Sequence, residues 1–173
     1  MVQRIEQGWD NVMRVKGIIA EDFINYKLPS MFIITCQCDF KCYRELGFPE
    51  SDCPNAYLLN TPDICMSIED IYEMYESNDI SKAIVIGGLE PFMQFAELED
   101  LIWYFRSHNE NCDIVIYTGY KPNEIAPEIS VLRDYYNNII IKFGRYIPNS
   151  SPRYDDILGV TLASDNQYAE KIS

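Results

Sequence analysis

Four thiols crowd one stretch of this chain. Cys36, Cys38, Cys42 and Cys53 fall within eighteen residues, spaced Cys36-x-Cys38-x3-Cys42-x10-Cys53. Thiolates are soft ligands that suit zinc, copper(I) or iron–sulfur clusters. The spacing is not the paired Cys-x2-Cys of a zinc ribbon, and the one histidine, His108, stands far along the chain. Three chemistries fit the residues: an iron–sulfur cluster used for one-electron chemistry, an all-thiolate zinc site, or reduced cysteines buried as small apolar side chains. Uneven clustering is the pattern of a metal or cluster site rather than of a disulfide framework, and the cluster is our working reading. Cys65 and Cys112 stand apart and read as structural.

A second group of residues has chemical potential. In Gly87-Gly88-Leu89-Glu90-Pro91, two glycines let a backbone approach a ligand closely. Glu90 offers a carboxylate that accepts hydrogen bonds from an ammonium, and Pro91 suits the first turn of a helix. The same segment also reads as an ordinary strand-to-helix turn. Thr118-Gly119 and Gly144-Arg145 are further candidates, as is Lys142. Surface charge is an equal reading for Lys142 and Arg145. Asn166 and Gln167 are polar residues near the end of the sequence that also read as tail.

What must position these residues is an alternation of strands and helices. Strands are expected at Val12 to Ile19, Met31 to Thr35, Ala83 to Ile86, Asp113 to Tyr117 and Asn138 to Phe143, with a weaker one in Ile157 to Ser164. Helices are expected from Ser67 to Tyr75, with Ser67 as cap and Asp70 three residues on, from Phe95 to Arg106 and from Ile125 to Tyr136. Strands separated by helices imply parallel βαβ units, and the continuous apolar runs suit a parallel sheet. Ligands of such folds collect at the carboxyl ends of strands. The cysteines, Gly87–Glu90, Thr118–Gly119 and Gly144–Arg145 each follow a strand, so four motifs should meet on one rim.

Bulk properties narrow the partners. The 173 residues suit one domain, and 47% of them are apolar, enough for a real core. A formal net charge of -13 argues against nucleic acid and against an anionic membrane surface. No apolar run is long enough to span a bilayer, and Met1 to Glu6 lacks the apolar stretch of a signal peptide. The chain therefore reads as cytoplasmic.

Phe32-Ile-Ile-Thr-Cys-Gln-Cys38-Asp-Phe-Lys-Cys42, followed by Gly-Gly-Leu-Glu90-Pro, resembles the radical SAM superfamily. Within it the chain resembles the small activating enzymes of anaerobic ribonucleotide reductase. Asn25-Tyr26, Tyr117-Thr118-Gly119-Tyr120, Ile141 to Tyr146 and Leu162 to Gln167 extend the likeness in order, from about Val15 to the end. The resemblance implies an α/β fold, a parallel-stranded partial (β/α) barrel of radical SAM type, in a single domain over residues 1–173 with its core at about 12–165. It implies a 4Fe–4S cluster held by three cysteines, with S-adenosylmethionine (SAM) chelating the open iron. One electron then cleaves the sulfonium to methionine and a 5′-deoxyadenosyl radical. The implied partners are a glycyl-radical enzyme, the large subunit of anaerobic ribonucleotide reductase, and a flavodoxin- or ferredoxin-like electron donor. Glu90 would hold the SAM amino group, Gly87, Gly88, Thr118 and Gly119 would line the cofactor, and Lys142 and Arg145 would reach its carboxylate.

One departure stands out. The family pattern is Cys-x3-Cys-x2-Cys, and Glu45 occupies the third position. Cys38, Cys42 and a displaced Cys53 are the preferred ligands, with Tyr43 to Asp52 looping out between them. Cys36 is the alternative.

Overall fold

A computed structural model describes residues 11–173; the expectation for Met1 to Glu6 lies outside the described residues. In chain order the elements are β1 (Val12–Val15), β2 (Gly17–Asp22), β3 (Ser30–Ile34), α1 (Lys41–Arg44), β4 (Ile64–Ser67), α2 (Ile68–Glu76), β5 (Ala83–Gly87), α3 (Phe95–Ser107), β6 (Asp113–Tyr117), α4 (Ala126–Tyr135), β7 (Ile139–Phe143), β8 (Arg153–Asp155), β9 (Val160–Leu162) and β10 (Tyr168–Lys171). Six strands form the central sheet in the order β10-β7-β6-β5-β3-β2. The four inner strands are mutually parallel, and the two edges, β2 and β10, pair antiparallel. The sheet does not close on itself among the described residues.

The apolar runs form strands because both faces of the sheet are covered, so side chains on either face have apolar surface to meet. Ile84, Ile86, Ile114, Ile116, Ile139 and Ile141 pack under the helices against Ile71, Leu98, Ile102, Phe105 and Leu132. Their alternates Val85, Val115 and Ile140 face the other way, onto Tyr26, Leu158, Leu162 and Ala169. Ser67 caps α2 by accepting from the Asp70 N–H at 2.9 Å, as its sequence suggests.

Three differences from the expected elements matter. The expected strand Val12 to Ile19 is two strands in two sheets. It breaks at Lys16, whose ammonium pairs with Asp63 at 2.7 Å. β1 then pairs with β4, while β2 joins the central sheet. The Ile157 to Ser164 stretch contributes only β9, in a hairpin with β8. The central sheet also extends past the expected core, because β10 lies along β7 as far as Lys171. No helix among the described residues is long and apolar enough to cross a membrane.

Candidate functional site

A cavity of about 240 Å³ lies at the carboxyl ends of β3, β5, β6 and β7. Its walls bring together Cys38, Cys42 and Cys53 with Gly88, Glu90, Thr118, Gly119, Lys142, Gly144 and Arg145. The expected convergence of four strand ends is therefore present. Cys36 and Gly87 are not on its walls. A Cβ on Gly87 would stand 3.0 Å from the Tyr117 Cβ, so this glycine lets β5 and β6 pack closely. At Gly88, φ is +84° and a Cβ would meet Ile34 at 2.7 Å, so the turn out of β5 requires glycine.

The thiols arrive by three routes. Thr35, just past β3, is held by its N–H and its hydroxyl, both donating to the Gly87 carbonyl at 2.9 and 3.0 Å. Phe40 then adopts a left-handed conformation, φ 54°. That bend swings the chain into α1 and brings Cys42 round to the same cavity as Cys38. The Phe40 N–H donates to the Cys38 sulfur at 3.3 Å. Cys42 lies against Gly119, where a Cβ would come within 2.9 Å of its sulfur. Cys53 follows a single 3-10 turn, Glu50–Asp52. Asn55 pins this segment by donating to the Gly88 carbonyl at 2.6 Å. Cys36 is directed elsewhere: its N–H donates to Gln94 at 2.8 Å. Its thiol is pushed up to about 12 by burial and by a hydrogen bond with Asp63.

The donor set suits a cluster better than a single ion. Among the described residues, no three His, Cys, Asp or Glu side chains converge as ligands of one metal ion do. In a cluster each thiolate binds a different iron, so the sulfurs surround a volume instead of a point. Cys38, Cys42 and Cys53 all line one cavity, and Gly119 leaves space beside the Cys42 sulfur. The cysteines carry no disulfide. Burial raises both Cys38, to about 12, and Cys42.

Beside the thiols are two buried ionisable groups, Glu90 and Lys142, which feel each other's charge without making a direct ion pair. Glu90 is 4% exposed. Its carboxylate accepts from the Thr118 hydroxyl (2.7 Å), the Gly119 N–H (2.9 Å) and the Phe92 N–H (3.2 Å). Burial nevertheless pushes it up to about 7. Lys142 is 7% exposed. Its ammonium donates only to the Thr118 and Gly144 carbonyls, each at 3.3 Å, and burial lowers it to about 8. Arg145, expected beside Lys142 as a carboxylate binder, is committed to the protein itself. It donates to Glu45 through Nε (3.1 Å) and Nη2 (2.8 Å), to Glu124 at 2.8 Å and to the Gly119 carbonyl.

Tyrosines complete the walls without a functional signal of their own in the sequence. Tyr120 lines the cavity and donates its hydroxyl to Asp39 at 2.9 Å. Tyr43 and Tyr146 stack with centroids 6.1 Å apart. Their abundance in the chain hides them, since tyrosine is also core material. Gln167 reaches the wall and Asn166 donates to the Arg145 carbonyl at 3.0 Å, so neither is tail.

Comparison with known families adds one finding. Residues 32–156, well over half of the chain, match the model of a family described as a 4Fe-4S single cluster domain. No curated protein matches the chain.

Proposed function

The chain belongs to the 4Fe-4S single cluster domain family, and from that membership we propose a radical SAM activase: an enzyme that cleaves SAM reductively and generates a glycyl radical on an anaerobic ribonucleotide reductase. Iron–sulfur binding follows from the family itself, which is found in radical SAM-type proteins. The SAM chemistry, the activase role and the partner are our reading.

One observation carries it. A buried carboxylate and a buried ammonium lie on the walls of the cavity that also holds the three thiols. Each feels the other's charge, but no hydrogen bond or ion pair joins them or ties either to another side chain of opposite charge. Glu90 has acceptor capacity left after its three donors, and the Lys142 ammonium has two long contacts to carbonyls and lies 5.6 Å from the centre of the Tyr117 ring. Burying unpaired charge is unfavourable, so this arrangement suits a ligand with an ammonium and a carboxylate of its own. The amino-acid end of SAM is such a ligand. Cys38, Cys42 and Cys53 would hold the cluster, leaving one iron open. Held there, a cluster would supply one-electron reduction of the SAM sulfonium. The protein's part is to orient the two ends of the amino acid, to exclude water at the strand ends and to keep the thiols together.

The open run of parallel strands in sequential order, β3-β5-β6-β7, with the site at their carboxyl ends, supports the partial-barrel reading of the fold. In this reading the protein is cytoplasmic and is served by a flavodoxin- or ferredoxin-like donor.

The test is anaerobic. Reconstituted protein, reduced in the presence of SAM, should release methionine and 5′-deoxyadenosine, and adding the matching reductase should give a glycyl radical signal by electron paramagnetic resonance. A full cluster without SAM cleavage would reject the enzyme. Cleavage without the glycyl signal would move the substrate to a small molecule or peptide.

A further inference from the structure

The segment between Cys42 and Cys53 has an ordering problem. Ten residues separate the second thiol from the third, and the three-ligand pattern places its third cysteine where this chain has Glu45. A cysteine there would be fixed by the metal it binds. Glu45 is fixed by protein instead. Both its oxygens accept from Arg145, at 2.8 and 3.1 Å. A fork of this kind sets direction as well as distance.

The same guanidinium reaches two more anchors. It donates to Glu124, at 2.8 Å, and to the carbonyl of Gly119. Gly119 is the residue whose missing side chain leaves room for the Cys42 sulfur. Lys41, at the start of the thiol-bearing turn, also binds Glu124, at 2.9 Å. The arginine is 5% exposed, and its own carbonyl is held by Asn166. One buried side chain thus ties the turn carrying Cys42 to the loop after β6 and to the end of β7.

We propose that Arg145 is a positioning residue: it holds the Lys41–Glu45 turn against Gly119 and Glu124, so that the Cys42 thiol faces the cavity before any cluster is bound. This rests on Cys42 being a ligand, as read above, but not on SAM chemistry. The protein contacts do here what the metal does when the third cysteine lies close by. Preorganisation of this kind spares the loop an ordering step when iron arrives.

The experiment uses the full chain, purified anaerobically without iron. Iodoacetamide labels the thiols, peptide mass spectrometry gives the rate at Cys42, and Cys112 is the internal reference. With each rate corrected for the thiolate fraction read from the pH dependence of labelling, because losing the guanidinium by itself disfavours the Cys42 thiolate, Arg145→Gln should raise the Cys42 rate several-fold while Cys112 stays unchanged, and should lower the iron bound per chain after reconstitution. Arg145→Lys should restore part of both, because a lysine can meet one carboxylate but cannot span two and a carbonyl. Glu45→Gln changes a side chain that is 44% exposed, which leaves the core intact, and should act in the same direction more weakly. An unchanged Cys42 rate and iron content in Arg145→Gln overturns the proposal. So does a parallel rise at Cys112, which would mean that the whole domain loosens. Cys42→Ala run alongside separates the two readings. If it keeps its iron, the ligand assignment fails; if it loses iron while Arg145→Gln keeps both iron and labelling rate, the clamp alone fails.

Discussion

At the scale of single residues, Glu90 is the most diagnostic side chain. Burial pushes its carboxyl up to about 7 despite three donors, and only its ionised form can receive an ammonium. Affinity for SAM should therefore fall as pH drops through about 7. Glu90→Gln should weaken binding by roughly 10- to 100-fold, the equivalent of about 1.5–3 kcal/mol for a hydrogen bond to a charged group, and should flatten that pH profile. Equilibrium dialysis of the reconstituted protein reads both; a variant that keeps the wild-type profile would place the ammonium elsewhere. Gly119→Ala tests the space beside the thiol. Its Cβ would stand 2.9 Å from the Cys42 sulfur and 3.7 Å from Glu90, so iron per chain should fall without a large loss of stability. Among the cysteines, Cys53→Ala should lose the cluster. Cys36→Ala and Cys112→Ala should keep it, because Cys36 faces Asp63 and Cys112 lies off the cavity walls. Iron analysis after reconstitution decides, and a cluster retained in Cys53→Ala would return Cys36 to the ligand set.

At the scale of elements, what could be read from the sequence depended on how locally each element is specified. β3, β5, β6 and β7 are legible because a strand covered on both faces is apolar along most of its length, with Lys142 in β7 as a buried exception. The start of α2 is legible because Ser67 and Asp70 make their contact within one turn. Ser67→Ala should cost about 1 kcal/mol, seen as a lower melting temperature with iron content unchanged; a loss of iron would show that α2 supports the site after all. β10 is hidden because an edge strand such as Tyr168–Lys171 is half exposed, with Glu170 and Lys171 facing solvent. The division of the first strand is hidden because Asp63, which draws Lys16 aside, comes from another part of the chain. The site divides the same way. Motifs at strand ends are readable because the fold itself brings strand ends together. The pairing of Arg145 with Glu45, one hundred residues apart, has no local signal, and from the sequence Arg145 reads equally as a ligand binder or as surface charge. The left-handed Phe40 is equally silent, since nothing in its side chain announces a positive φ.

At the scale of the whole molecule, the net charge of -13 bears on how the cysteine turn responds to acid. Protonating surface carboxylates relieves self-repulsion, which by itself favours the fold as pH falls. The Arg145 clamp works in the opposite sense. Burial would raise the Glu124 carboxyl, but the Lys121 N–H, Arg145 and Lys41 outweigh it and hold the group down at about 2, from an ordinary value of 4.5. A carboxyl with a depressed folded value contributes stability that is fully present above its ordinary value and is lost as pH falls through its folded one. Between about 4.5 and 2 the clamp should therefore weaken while the bulk charge effect strengthens. The two separate in a difference measurement. Urea unfolding of the iron-free chain, compared with Arg145→Gln at stepped pH, cancels the bulk effect because it is common to both. The stability advantage of the native chain should be constant near neutrality and shrink steadily below pH 4.5. An advantage that holds unchanged down to pH 2 would mean that neither Glu124 nor Glu45, whose carboxyl the same guanidinium holds down, is paired with Arg145. The turn carrying Cys42 would then owe nothing to these ion pairs.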